Sequence, residues 1–201
     1  MDCIFCNKNK ISDEILLQTE NFYLVPALGS FIPDYLLIVS QNHLDSLGQI
    51  LINQDITNEF ESLLKQVKKF IGRKGQKIIA FEHGATQHDK AGCCIGHAHI
   101  HILPFDKILT EKIENILDKK STLIQYEDIN DLTGHGTVNY LLLEENEKIN
   151  IWKNVVVLSQ FMRRLIARET NKANCFDWKT NPFREIMLET IDSWKEHNQK
   201  L

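Results

Sequence analysis

The strongest constraint on the fold lies in one segment that alternates histidine with apolar residues, His97-Ala98-His99-Ile100-His101-Ile102-Leu103-Pro104. In a β-strand, successive side chains point to opposite faces of the sheet. The three histidines are therefore expected on one face, with the intervening apolar residues in a core. Neighbouring histidines would lie about 6.5 to 7 Å apart, close enough to line one pocket. The ordinary alternative is a surface strand with chance histidines, or a simple metal patch.

The segments around this strand predict an α+β fold, in which one long helix crosses a mostly antiparallel sheet. Apolar positions from residue 56 to residue 71 follow helical spacing, and Asn53 is the expected cap of that helix. Short strand patterns occupy residues 35–39, 77–81 and 97–103. Residues 14–17 and 22–25 flank a polar stretch and predict a hairpin.

No linker rich in proline, glycine or serine divides the chain, and no internal repeat is present. We expect a catalytic domain over residues 1–105 and a carboxy-terminal extension, residues 106–201, packed on it. The extension is predicted to contain a helix at 107–119 and strands around 138–143 and 155–158. Two further helices follow, one opening at Ser159 and one capped by Asn181 with Pro182 in its first turn.

Composition excludes several classes of function. With 201 residues and 43% hydrophobic content the chain can bury a core, yet no run of about 18 apolar residues predicts a membrane span. A formal net charge of −4 argues against binding to long nucleic acid but leaves a small phosphate ligand open. The first residues lack the pattern of a signal peptide. Five cysteines, two of them adjacent, do not form a disulfide pattern, so a cytoplasmic location is expected.

The histidine segment resembles the His-x-His-x-His motif of the histidine-triad (HIT) superfamily, which is also followed by apolar residues. The turn at residues 92–96 and the strand Tyr35-Leu36-Leu37-Ile38-Val39 fall where that superfamily has counterparts. The resemblance covers about residues 3–105 and points to a zinc-containing bacterial-type branch with a carboxy-terminal extension. It implies a HIT-like fold, a small nucleotide as ligand, and a homodimer formed through the long helix.

The resemblance implies that His99 is the nucleophile. It would attack the α-phosphorus of a nucleoside phosphoramidate or dinucleoside polyphosphate and form a covalent nucleotidyl-histidine, since imidazole is neutral and nucleophilic near pH 7. His101 would hydrogen-bond the phosphate or the leaving group. The backbone at Gly96 and the thiol of Cys94 would hold phosphate oxygens, although many relatives have serine at the position of Cys94.

Other residues are weaker candidates for substrate binding. Glu82 and His83 close the strand before the motif, where relatives place polar residues near the nucleotide. Tyr35 stands where many relatives carry a further histidine, and its hydroxyl would replace part of the hydrogen bonding. Arg163 and Arg164 would reach a distal phosphate, but a solvated helix face is the preferred interpretation.

Two cysteines near the amino terminus, Cys3 and Cys6, resemble the Cys-x-x-Cys of zinc-containing relatives. The family pattern completes the ligand set with His43 and His97. Four protein ligands close a tetrahedral zinc site, so the zinc would be structural. His97 is then unavailable for catalysis. The alternative is two free cysteines near a mobile terminus and a surface His43.

Four functions remain open on the sequence. Nucleotide hydrolysis is preferred, because transferases of the superfamily carry glutamine at the position of His101. A nucleotidyltransferase or phosphorylase, a non-catalytic nucleotide-binding sensor, and a metal-storage or structural zinc protein are the alternatives.

Overall fold

A computed structural model describes residues 3–86 and 95–199. Within these residues the strands are β1 (Leu17–Gln18), β2 (Phe22–Pro26), β3 (Leu36–Ser40), β4 (Ile78–Gly84), β5 (His99–Pro104), β6 (Thr122–Ile124), β7 (Tyr140–Glu145) and β8 (Lys148–Lys153). The helices are α1 (Leu47–Ile50), α2 (Gln54–Gly72), α3 (Thr110–Leu117), α4 (Ile129–Thr133), α5 (Phe161–Glu169) and α6 (Arg184–Asn198). None of these helices is long and apolar enough to span a membrane.

All eight described strands belong to one sheet in the order β1-β2-β3-β5-β4-β7-β8-β6. Every neighbouring pair is antiparallel. The predicted hairpin is present as β1 and β2, although β1 is only two residues long. The expected α+β fold with an antiparallel sheet is therefore confirmed.

The long helix α2 crosses one face of this sheet, as predicted. The side chain of Asn53 accepts a hydrogen bond from the backbone N–H of Ile56 at 3.0 Å, which satisfies one of the free donors at the helix start. The apolar side of α2 packs on the side chains of β3 and β5 that point the same way, among them Ile38, Ile100 and Ile102. Burial of this apolar side fixes which face of β5 is left for the histidines.

The register of β5 confirms the predicted alternation. Val39 lies opposite His99, and Leu37 lies opposite His101. The side chains of Leu37 and Val39 belong to a separate apolar core on the face of the sheet away from α2. The amino-terminal segment and α5 cover that face with apolar residues. The histidines of β5 therefore lie beneath a cover rather than on an open sheet surface.

Two predictions for the second half of the chain are wrong. Residues 155–158 form no strand, and Val156 is 90% exposed. The strand after β7 is β8 instead, because Asn146 and Glu147 both adopt positive φ and form a two-residue turn that reverses the chain direction. Asn181 does not cap α6, which follows Phe183; its side-chain amide donates to the carbonyls of Asn174 and Asp177.

The sheet continues from the first half of the chain into the second. β7 pairs with β4 over six residues, from Ile79 opposite Glu145 to Gly84 opposite Tyr140. The segment after residue 105 thus contributes both a strand next to β4 and the helix α5 above the histidines. A boundary between two domains at residue 105 remains a prediction.

Candidate functional site

A cavity opens between the histidine face of the sheet and its cover. His83, His99 and His101 line one part of it. The amino-terminal segment and β2 supply mainly apolar walls, and the chain after α4 adds polar and aromatic groups. The other lining residues are Ile4, Phe5, Ile11, Glu14, Val25, Pro26, Ala27, Leu28, Leu37, Ile95, Gln160, Arg163 and Trp178.

His99 is held in one tautomer by the backbone. Its Nδ1 lies 2.6 Å from the carbonyl oxygen of His97, and because a carbonyl oxygen only accepts, Nδ1 donates the proton. The lone pair of the neutral ring is therefore on Nε2. Burial lowers the pKa of His99 to about 4, more than the hydrogen bond to the His97 carbonyl raises it. His99 is thus a neutral imidazole at pH 7.

His101 is stacked and hydrogen-bonded beside it. The two imidazole centroids are 4.8 Å apart, and His101 stacks on Phe81 at 4.4 Å with an interplanar angle of 7°. The Tyr35 hydroxyl lies 2.7 Å from Nδ1 of His101. When that hydroxyl donates, the proton of the neutral ring is on Nε2. Burial lowers the pKa of His101 well below its usual value, and His99 and His83 lower it further.

The neighbouring residues Glu82 and His83 point to opposite faces of β4. His83 lines the cavity, and its Nε2 accepts from the backbone N–H of Met162 at 3.4 Å. Burial lowers the pKa of His83 to about 3. Glu82 accepts from the backbone N–H of Leu47 at 2.8 Å and contacts the hydroxyl of Tyr140. The structure therefore brings His83, but not Glu82, to His99.

Glu82 predicts a pH dependence of stability. Burial raises its pKa from 4.5 to about 8. Between these values the native protein holds a proton that the unfolded chain has released, so the folding equilibrium loses about a factor of ten per pH unit through this group. Glu82→Gln should remove this loss, as measured by urea denaturation at pH 5 and pH 8. The exposed Glu20→Gln is the control, and parallel pH dependences of wild type and Glu82→Gln would contradict the prediction.

The cluster Cys3, Cys6, His43 and His97 lies beside this cavity, with its ligand atoms all within 4.8 Å of one another. Nδ1 of His97 is 3.5 Å from each Sγ and 3.2 Å from Nδ1 of His43, and Nδ1 of His43 is 3.1 Å from Sγ of Cys6. A tetrahedral ion with bonds of about 2.0 to 2.3 Å needs ligand atoms about 3.3 to 3.8 Å apart.

The protonation of His97 fits a metal ligand as well. Its Nε2 donates to the carbonyl oxygen of Ser40 at 2.9 Å, so the lone pair on Nδ1 faces the two sulfurs and the second imidazole. Such convergence of lone pairs is unfavourable unless a cation lies among them. The four residues can therefore hold a metal ion.

The remaining candidates are placed less centrally. Cys94 lies outside the described residues, and Gly96 is described but does not line the cavity. Arg164 stacks on Phe176 away from the cavity. The solvated interpretation is wrong for Arg163, which is only 4% exposed because its guanidinium bridges two distant loops.

Sequence reasoning missed several lining residues, namely Phe5, Glu14, Gln160 and Trp178. Phe5 packs on both His97 and His99, at centroid distances of 5.6 and 5.3 Å. Its position between Cys3 and Cys6 was a usable signal, because a metal cluster that binds His97 also brings Phe5 to the histidines. The other three have no signal in the sequence, since long-range packing brings them to the cavity.

Several solved structures resemble part of the chain. A HIT family hydrolase from Clostridium thermocellum is 18% identical, with a TM-score of 0.41, over 53% of this chain and 93% of that protein. A histidine triad protein from Clostridium difficile is 24% identical, with a TM-score of 0.40, over 54% and 94%. A HIT family member from Bacillus subtilis is 17% identical, with a TM-score of 0.41, over 58% and 92%.

Comparison with protein families gives a match over more than half of the sequence. None of the curated proteins matches the chain. The family described as "Protein similar to CwfJ C-terminal" matches residues 1–118. This segment contains the four possible metal ligands together with His99 and His101. The chain belongs to the family of proteins similar to the CwfJ carboxy-terminal region.

Proposed function

We propose that this protein is a nucleotide hydrolase whose His99 attacks the α-phosphorus of a nucleoside phosphate derivative. The observation that carries the proposal is the hydrogen bond from Nδ1 of His99 to the His97 carbonyl. It leaves the nucleophilic lone pair on Nε2 of a neutral ring that lines the cavity. A histidine fixed in this way needs no further base before it attacks phosphorus.

The proposed reaction has two steps. Nε2 of His99 forms a bond to the α-phosphorus while the bond from phosphorus to the leaving group breaks. The N–H at Nε2 of His101 donates a hydrogen bond to the leaving atom, which departs with the electron pair of its bond to phosphorus. Water then attacks the phosphorus of nucleotidyl-His99 and gives up a proton to the leaving group or to solvent. The P–N bond breaks, and a nucleoside monophosphate is released.

The experiment that tests this proposal is a product analysis with a panel of nucleoside phosphoramidates and dinucleoside polyphosphates. We expect a nucleoside monophosphate as product and, after rapid quenching, a nucleotidyl adduct on the intact protein. A nucleoside diphosphate formed only when inorganic phosphate is added would indicate a phosphorylase instead. Tight nucleotide binding with no product after long incubation would indicate a sensor.

Tyr35 should orient His101 for its hydrogen bond to the leaving group. Removal of its hydroxyl in Tyr35→Phe breaks the hydrogen bond to Nδ1 of His101 and leaves the ring free to take the other tautomer. We expect kcat to fall about tenfold with little change in KM. The effect should be smaller for substrates with good leaving groups, which need less stabilisation by a hydrogen bond. An equal loss for good and poor leaving groups would contradict this role.

We further propose that the cluster of Cys3, Cys6, His43 and His97 binds zinc, because two thiolates and two imidazoles are ligands that zinc prefers. With four protein ligands it would have a structural role, linking the amino-terminal segment to His97 and taking no part in the chemical step. The ligand of the cavity would be a small nucleotide. Pairing of two copies through α2 and a cytoplasmic location remain predictions.

A further inference from the structure

Arg163 places a positive charge in the wall of the proposed nucleotide cavity. Its Nε donates to the carbonyl oxygen of Phe176 at 2.7 Å, and its Nη2 donates to the carbonyl oxygen of Gly29. Both partners are neutral. Within the described residues, no carboxylate lies within 4.0 Å of the guanidinium. Glu14 also lines the cavity, and the charge of Arg163 helps to lower the pKa of Asp177, but neither carboxylate contacts the guanidinium. A buried charge is costly unless it is paired, so the free side of the guanidinium favours an anion.

The guanidinium also has donors to spare. The two described hydrogen bonds use Nε and Nη2, and in the part of the chain that the structure describes Nη1 has no hydrogen-bond partner. Arginine binds phosphate oxygens well, because its planar fork presents several N–H groups in fixed directions. Arg163 can therefore bind a phosphate group without giving up either of its contacts to the backbone.

Arg163 lies near Tyr35, the residue that contacts His101. The guanidinium carbon lies 5.9 Å from the centroid of the Tyr35 ring, and the Tyr35 hydroxyl contacts His101. The positive charge is thus on the side of the cavity where His101 would donate a hydrogen bond to the leaving group.

Gln160, at the start of the same helix, adds a second side chain with an unused hydrogen-bonding atom. Its Nε2 donates to Oδ1 of Asp177 at 3.0 Å, which fixes the orientation of the amide. Its Oε1 is buried and has no hydrogen-bond partner among the described residues. Gln160 also lines the cavity. A ligand that carries a hydroxyl group as well as an anion satisfies both residues.

We propose that Arg163 binds an anionic leaving group, so that the substrates of this site are nucleoside polyphosphates rather than phosphoramidates with uncharged leaving groups. This inference rests on the proposed function, because it takes His99 as the point where the α-phosphate reacts. Arg163 would be a binding residue that selects the leaving group.

Binding measurements test the inference without turnover. The probes are AMP, whose only phosphate is the α-phosphate, and the non-hydrolysable α,β-methylene analogue of ADP, with guanosine counterparts. By calorimetry, wild type should bind the diphosphate analogue about 10- to 100-fold more tightly than the monophosphate. Arg163→Met should remove this difference and keep the affinity for the monophosphate. Arg168→Met, an exposed arginine on the same helix, is the matched control.

Three outcomes would overturn the inference. The first is the absence of any preference for the diphosphate analogue in wild type, a result that needs no variant. In Arg163→Met, equal losses for both ligands would place the α-phosphate at Arg163. An unchanged preference of Arg163→Met for the diphosphate analogue would show that the guanidinium has only a structural role, in which it links the Gly29 and Phe176 carbonyls. Failure of the proposed function is distinguishable, because turnover would then survive His99→Ala while the affinity difference remained.

Discussion

His99→Ala is expected to lose at least about 10³-fold in kcat on every substrate that the wild type turns over. Alanine has no atom that can form the bond to phosphorus, and His101 cannot take its place. The ring of His101 is stacked on Phe81, and its Nδ1 is engaged with Tyr35. The nucleotidyl adduct should also disappear from the intact protein after rapid quenching.

Two comparisons separate this loss from unfolding. His135→Ala removes an exposed histidine far along the chain and should leave kcat unchanged. His99→Ala should keep its metal, since no ligand atom is altered, and should still bind the product monophosphate. Turnover by His99→Ala at the rate of wild type would exclude the proposed nucleophile.

Loss of the metal should have the second large effect, on stability. Cys3→Ser removes one of four ligands that join the amino-terminal segment to His97, so the binding energy of the ion no longer contributes to folding. We expect Tm to fall by about 10 °C or more for a chain of this size. Treatment of wild type with a strong chelator should give a similar Tm.

The chain offers a matched control for this variant. Cys175 is also a free, half-buried cysteine and belongs to no ligand cluster of the described residues. Cys175→Ser should change Tm only slightly. Elemental analysis should find one zinc per chain in wild type and in Cys175→Ser, and none in Cys3→Ser. Wild-type protein purified without chelator that contains no metal would contradict the zinc proposal.

Loss of the metal should affect the chemical step through two residues, His97 and Phe5. The ring of His97 belongs to the metal cluster, while its backbone carbonyl holds Nδ1 of His99. If the amino-terminal segment detaches, Phe5 also leaves its contact with His99. A metal ion in this cluster would therefore support the orientation of the proposed nucleophile without touching it.

The parts of the molecule that local patterns specify were predicted from sequence. Alternation placed His99 and His101 on one face, and Asn53 marked the start of α2. The same alternation excludes Glu82 and His83 from sharing a face, a constraint that the sequence prediction did not apply. The positive φ of Asn146 and Glu147 is imposed by the hairpin rather than by these residue types. The turn, and with it the strand β8, was therefore not predicted.

The position of Arg163 could not be predicted from the sequence, for a different reason. The guanidinium meets the carbonyl of Gly29, which is 134 residues away in sequence. Its burial depends on how α5 lies over the sheet, and no periodicity within α5 encodes that. Residues contributed by long-range packing therefore carry the part of the site that sequence alone does not predict.

The place of β4 in the sheet has a consequence for the order in which the protein acquires its structure during synthesis. β4 pairs with β5 on one side and with β7 on the other, and β7 follows β5 by more than thirty residues. Until the ribosome has released β7, β4 is an open edge that can pair with another nascent chain. Chaperone protection over this interval should matter more for this protein than for one whose sheet closes in sequence order.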